Sequence, residues 1–336
     1  MFNPDVLFDI TVADVEEDPV YFADRFIEGR MLAFRHVEWD VSERGRVLWA
    51  IGSQCGWGPG RPPRHMGGEE RVVYTYGADY SGIMGPEFIA STSNTPNNLA
   101  LSWHLENLCW RFPQVAGGWY MQRCDSNPES GQTGFIDGQD LFNKLTLEQQ
   151  NFVLGCELLD MERDHEWDSD RPDIKNIEYL ADVEGGRRKT RIEFTDDTYQ
   201  IVYTFPAVQK HLTTGDPVLR ISPTQGTFGG GRLLHTVNGQ EPTEQDHEKF
   251  TEIRKFVSDQ TFGGETEPFW WSWKTGDFLI VDLHRAVHAV KAGFEPQKRK
   301  FEGIWCHESH DQLGEEARWE IDDWDVIKDD PRYHRR

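Results

Sequence analysis

Short apolar runs and period-two alternation dominate the chain, and helical spacing is confined to four stretches. Asp18-Pro19 opens the first over residues 21–26, and Gly29 closes it as a helix C-terminal glycine. Residues 41–51 predict a second helix with Val47, Leu48 and Ile51 on one face. Residues 146–160 predict a third, with Thr146 as N-cap, Glu148 in the first turn, and Leu147, Phe152, Leu154 and Leu158 on the buried side. Residues 244–257 predict the fourth. Strands are expected at the apolar run 31–34, at 118–124 and 134–137, in a hairpin over 191–205 around Asp196-Asp197, and at 218–222, 278–281 and 301–306. The Gly-, Pro- and Arg-dense stretch 56–68 reads as a loop, residues 162–173 as a charged connection, and 311–336 as a charged peripheral tail. There is no internal repeat, heptad array or low-complexity linker. Many short strands with a few helices predict a mainly β fold, a jelly-roll-like sandwich with flanking α-helices. One domain is expected over residues 1–336, with its core at about 20–306 and a peripheral tail at 307–336.

Composition narrows the function classes. The 336 residues carry 35 Lys+Arg against 58 Asp+Glu, a formal charge of −23, which argues against a nucleic-acid backbone or an anionic membrane as the main partner. Thirteen Trp and 20 Phe are far too many for a disordered chain. No apolar run approaches the ~18–20 residues of a membrane span, and residues 1–10 lack the basic-then-apolar pattern of a secretory signal. Five scattered cysteines (Cys55, Cys109, Cys124, Cys156, Cys306) with no C-x-x-C pattern read as reduced thiols, so a cytoplasmic location is expected.

No Gly-rich phosphate loop, G-x-S-x-G elbow or H-E-x-x-H motif is present, which leaves histidines and carboxylates as the groups to test. His104-Leu105-Glu106 places an imidazole and a carboxylate at i and i+2, on one face of a strand, where both can meet one metal ion. His36-Val37-Glu38 repeats the pattern without a neighbouring element that suggests a pocket, whereas His104 follows Trp103 and leads toward an aromatic strand. A third ligand has to come from elsewhere, and Asp282-Leu283-His284-Arg285-Ala286-Val287-His288, after the apolar run, is the best source. His284 and His288 are four apart, so on a helix they would form a zinc pair, the competing metal reading.

Several segments, in order, resemble the Fe(II)/2-oxoglutarate-dependent oxygenases of the TauD/TfdA (taurine dioxygenase) and clavaminate synthase-like superfamily. They are Met31–Arg35; Trp103-His104-Leu105-Glu106; Gly131-Gln132-Thr133 with Phe135-Ile136-Asp137-Gly138; and His211-Leu212-Thr213-Thr214-Gly215 with Val218-Leu219, where Leu212 replaces the usual proline. Trp273-Lys274-Thr275-Gly276-Asp277, running on to Asp282, resembles the segment before the family's distal histidine. Arg299 falls eleven residues after His288, at the position of the family's co-substrate arginine. The resemblance implies a double-stranded β-helix (cupin-like) core and an iron site of His104, Glu106 and His288, a two-histidine, one-carboxylate set that leaves positions open for 2-oxoglutarate and O2. It also implies that Arg299 pairs with the distal carboxylate of 2-oxoglutarate and that Thr133 adds a hydroxyl hydrogen bond. The plainer readings are a surface charge within Lys298-Arg299-Lys300 and an ordinary turn threonine.

The implied reaction is hydroxylation of an unactivated C–H bond, with succinate and CO2 as co-products. Related halogenases carry Gly or Ala at the acidic position, and here Glu106 is present. An acid of that type is similar to clavaminate synthase-like enzymes, making a free amino acid or an amino-acid derivative the expected small-molecule substrate. Arg220 or Arg232 is a candidate for a substrate carboxylate, His284 for a neighbour of His288, and the loops at 226–231 and 56–68 for lids. Desaturation or ring closure by the same family, a zinc hydrolase using His284 and His288, and a non-catalytic binding module stand as alternatives. Neither nucleic acid nor membrane is expected as a partner, and the sequence leaves the oligomeric state open.

Overall fold

Capping residues fix where the helices begin. In a computed structural model of the chain, the described residues are 2–58, 74–76, 99–105, 114–124, 127–161, 165–166, 189–194, 198–223, 231–236, 239–262, 268–294 and 299–308. After β1 (Asp5–Phe8), Thr11 and Asp14 form a reciprocal capping box at α1 (Val12–Glu17). Asp18 caps α2 (Pro19–Gly29), with the proline in its first turn. The helix ends differently from the sequence expectation. Gly29 is still helical, and Arg30 takes the left-handed conformation at φ 61°. Glycine is needed at position 29 for space, because a Cβ there would lie 2.7 Å from the Asn3 carbonyl oxygen. β2 (Met31–Arg35) and α3 (Val41–Gln54), capped by Asp40 and Glu43, follow as expected.

Next come β3 (Trp57–Gly58), β4 (Tyr74–Tyr76), β5 (Leu99–Leu105), β6 (Gln114–Arg123), β7 (Thr133–Asp137) and α4 (Gly138–Lys144), which Asp137 caps. The predicted helix at 146–160 is corrected. Thr146 does cap α5 (Leu147–Leu154), but the helix stops at Gly155 and the chain turns into β8 (Glu157–Met161). Leu147 and Leu154 are exposed, Val153 supplies the buried contact, and Leu158 is buried as a strand residue opposite Phe205. Tertiary pairing here overrides helical spacing.

The remaining elements are β9 (His165–Glu166), β10 (Lys189–Phe194), β11 (Thr198–Pro206), β12 (Val208–Lys210), β13 (Pro217–Leu219), β14 (Arg232–His235), α6 (Glu244–Phe262), β15 (Phe269–Trp271), β16 (Phe278–Asp282), β17 (Ala286–Lys291) and β18 (Lys300–Glu308). The expected hairpin is the antiparallel β10–β11 pair, and the charged connection contributes β9 at its described residues. Most of the 56–68 loop, the 226–230 segment, Asp196-Asp197, Cys109 and residues 309–336 lie outside the described residues.

Among the described residues the strands form sheets of seven, five, four and two. The larger sheet runs β1-β2-β16-β6-β18-β3, with β4 also on β18, and the four-stranded sheet runs β15-β7-β17-β5. Period-two alternation gives each of these sheets two apolar faces. Leu32, Phe34, Phe278, Ile280 and Ile304 of the larger sheet pack under α1–α3. Its other face, with Met31, Ala33, Trp119, Met121, Leu279 and Val281, meets Phe135, Trp271 and Ala286 of the four-stranded sheet. The far side of the smaller sheet (Trp103, Leu105, Ile136, Val287, Ala289) packs on β8, β11, β13, β14 and helices α4–α6. No helix among the described residues is long and apolar enough to cross a membrane.

Candidate metal centre

Two of the sequence-predicted ligands meet on neighbouring strands. β17 runs antiparallel to β5, and His288 is the direct cross-strand partner of His104. Trp103, Leu105, Val287 and Ala289 all face the α4–α6 side, so alternation turns His104 and His288 together toward the larger sheet. Their ring centroids are 4.0 Å apart with the planes inclined by 50°. Both are buried. The Trp119 ring from β6 lies 5.2 Å from the His288 ring and is itself stacked on Phe135, the partner of His288 on β7. The β17–β5 register shifts just past the pair, between His288 and Val290, a local irregularity of the kind that re-aims side chains near sites.

Burial pushes the His288 imidazole down from its ordinary value to about 3. The ring is therefore neutral across the physiological range and offers a nitrogen lone pair, the form in which histidine binds a metal. Glu106, directly after the last residue of β5, lies outside the described residues, and no cluster of three or more metal-ligating side chains occurs among those described. Two buried imidazoles in ring contact, that of His288 neutral, nonetheless suit a divalent ion of the kind bound by N and O donors.

The two residues expected at the co-substrate come from segments far apart in sequence, and one strand-entry turn gathers both. Gly131 opens that turn at φ +63°, and a Cβ on it would lie 3.0 Å from Arg299 Cδ. Arg299 is buried, with its guanidinium 5.3 Å from the Phe294 ring centroid, so the surface-charge reading does not hold. Thr133 begins β7 on the same face as Phe135 and accepts a 2.8 Å hydrogen bond from Trp273 Nε1. Gln132 between them turns away, bonding Ser272 Oγ and Lys291 Nζ.

His284 does not share a helix with His288. It sits in the turn between β16 and β17, its ring stacked on His211 at 5.1 Å and its Nε2 3.3 Å from Gln209 Oε1, so the helical zinc pair is not formed. Arg220 is fully buried and donates to the Leu283 and His284 carbonyls, which makes it a brace for that turn. Arg232 is exposed on β14, in a different sheet. His36 follows β2 in the left-handed conformation and joins no group of three or more metal-ligating side chains among the described residues.

Sequence reasoning missed the work of two motifs it had already marked. His211 of the H-L-T-T-G segment pairs with Asp282 at 2.8 Å, and Trp273 of the W-x-x-G-D segment bonds Thr133.

Residues 31–305 match the family described as taurine catabolism dioxygenase TauD, TfdA family. The chain belongs to this family. It is thus a 2-oxoglutarate-dependent dioxygenase, an oxidoreductase, and the family implies Fe(II), 2-oxoglutarate and a small-molecule substrate. The fold is similar to that of a taurine dioxygenase from Burkholderia xenovorans, at 15% identity and a TM-score of 0.55 over 92% of this chain and 88% of that one. It is also similar to a candidate α-ketoglutarate-dependent 2,4-D dioxygenase from the same organism, at 15% identity and a TM-score of 0.53, covering 92% and 95% of the two chains. A third similar structure is AAD-2 in complex with Mn(II) and N-oxalylglycine, at 12% identity and a TM-score of 0.51, covering 90% and 93%. At these identities the likeness speaks to fold alone. No curated protein sequence matches the chain.

Proposed function

We propose that His104, Glu106 and His288 hold Fe(II) in a double-stranded β-helix core of one oxygenase domain, and that the chain hydroxylates a C–H bond of an amino acid or an amino-acid derivative. The observation that carries this reading is the direct cross-strand pairing of His104 with His288, 4.0 Å between buried rings. Glu106 supplies the third ligand from the residue after β5. Iron, when bound, supplies the dioxygen chemistry, with 2-oxoglutarate converted to succinate and CO2. N-oxalylglycine has the shape of 2-oxoglutarate with an N–H for a CH2 group, and Mn(II) is a stand-in for Fe(II), so the AAD-2 complex supports the same pairing here.

The protein's own residues do the binding and the shielding. His104 and His288 present ring nitrogens, that of His288 held neutral by burial. Arg299 engages the distal carboxylate, a role suited to a planar, permanently charged guanidinium. Thr133 can only accept from an indole N–H, which has no acceptor capacity, so its own hydroxyl proton is left to donate to a carboxylate oxygen. Trp119 and Phe135 wall the site and exclude water around His288. A carboxylate at position 106, where halogenases need space, supports hydroxylation. The anionic surface and the free thiols at Cys55, Cys124, Cys156 and Cys306 suit a cytoplasmic enzyme acting on a metabolite.

The test is an anaerobic addition of Fe(II) and 2-oxoglutarate. A weak visible charge-transfer band is expected for the native chain and is expected to be absent in Glu106→Ala. Succinate release while amino acids are screened then identifies the substrate, and product mass separates a gained oxygen from desaturation or cyclisation. No band in the native chain contradicts the proposal.

A further inference from the structure

Beside Thr133 lies a second indole whose N–H meets no acceptor among the described residues. Trp271 on β15 is the direct antiparallel partner of Thr133 on β7, so both side chains are on the face that carries Phe135 and, one strand further, His288. Trp271 is only 4% exposed, and its Nε1 has no hydrogen-bond partner among the described residues. Its neighbour Trp273 crosses it edge-on at 6.2 Å and spends its own N–H on Thr133 Oγ1. The Arg35 guanidinium covers the Trp271 ring at 4.3 Å and is itself tied to Asp277 Oδ2 at 2.6 Å. The ring is thus held in place by a cation–aromatic contact and a perpendicular indole, with its polar edge unsatisfied.

Buried donors are nearly always paired, and an indole N–H can pair only with an acceptor. That excludes an ammonium group or a metal cation as the missing partner and calls for a lone-pair acceptor, which a carboxylate oxygen of the co-substrate supplies. We infer that Trp271 Nε1 donates directly to a carboxylate oxygen of bound 2-oxoglutarate, with Trp273 acting as a positioning residue that fixes Thr133 as a second donor beside it. This rests on the co-substrate reading of Thr133 and Arg299. It adds a residue that binds the co-substrate and another that orients a binding residue, and both come from the segment entering the Gly276 turn.

The experiment is an anaerobic titration of the Fe(II)-loaded full chain with 2-oxoglutarate, following the visible band. Native protein, Trp271→Phe and Arg299→Ala are compared, together with a chain carrying 3-benzothienylalanine at 271, which replaces only the N–H by sulfur. Loss of one hydrogen bond to a charged group predicts dissociation constants raised roughly tenfold or more in both position-271 variants. Turnover at saturating 2-oxoglutarate and Fe(II) affinity should change far less, a split that general damage to the fold would not give. The benzothienyl chain keeps the ring if the phenylalanine variant fails to fold. Native affinity in the position-271 chains, with binding lost in Arg299→Ala, overturns this assignment alone. Absence of any band in the native chain overturns the co-substrate reading and this assignment with it.

Discussion

His211 Nε2 and Asp282 Oδ2 lie 2.8 Å apart, both buried, and link the β12–β13 turn to the end of β16. The backbone N–H of Thr214 donates to His211 Nδ1 at 3.2 Å, so Nδ1 is unprotonated and Nε2 carries the proton that Asp282 accepts. The same carboxylate accepts from the Arg285 backbone at 3.3 Å, and Arg285 reaches on to Thr214 Oγ1 at 2.8 Å and Asp216 Oδ2 at 3.2 Å. The turn that delivers β17, and with it His288, is therefore clamped from both sides. Asp282→Ala strips the acceptor from a buried histidine and a buried arginine, and a loss of about 3–5 kcal/mol in urea unfolding is expected. A loss under about 1 kcal/mol would show that the clamp contributes little.

Acid sensitivity of the metal-free chain should carry the signature of His288. Its folded value of about 3 lies below the ordinary 6.5, so the unfolded chain takes up the proton first as pH falls. The stabilising contribution is fully present above about 6.5 and is lost as pH drops toward 3, at up to roughly 1.4 kcal/mol per pH unit. Urea midpoints between those limits should fall more steeply for the native chain than for His288→Gln. Parallel curves would contradict the assignment of a buried neutral imidazole.

Gly131→Ala should act on the co-substrate more than on the metal. The new methyl group would stand 3.0 Å from Arg299 Cδ and 3.1 Å from Phe294 Cδ1, at a φ of +63° that disfavours alanine. The expected outcome in steady-state kinetics is a KM for 2-oxoglutarate raised several-fold, with Fe(II) affinity retained. An unchanged KM would mean that Arg299 does not read the co-substrate.

Thiol chemistry gives a test of packing that is independent of function. Cys55, Cys156 and Cys306 are buried and their thiols are pushed up to about 12, chiefly by desolvation. Cys124 is half-buried at the end of β6. Among these four, a maleimide should modify Cys124 first in the folded chain and the other three only on unfolding. Rapid labelling of Cys306 under native conditions would contradict the packing of α3 on the larger sheet.

Strands buried on both faces were plain in the sequence, because Met31–Arg35 and Phe278–Asp282 have no polar alternation to confuse with a helix. The 146–160 stretch was not, since the leucines after Gly155 keep a helical spacing while β11 and β14 claim them as a strand. His104 and His288 could be marked individually, but their pairing is set by a ladder between segments 184 positions apart, which local pattern does not reveal. Arg299 sat in a basic run and proves buried against Gly131. Trp271 carried no signal at all, because an unsatisfied N–H exists only once neighbours are in place.

The central claim is that one ion is shared by the imidazoles of residues 104 and 288 and the carboxylate of residue 106. A crystal structure of the chain grown with Mn(II) and N-oxalylglycine tests it most directly. The account predicts the metal bonded to one nitrogen of each ring and to a Glu106 oxygen, with the inhibitor chelating from the side of Thr133 and Arg299. Metal bound elsewhere, or bound to the two histidines with Glu106 turned away, would contradict it.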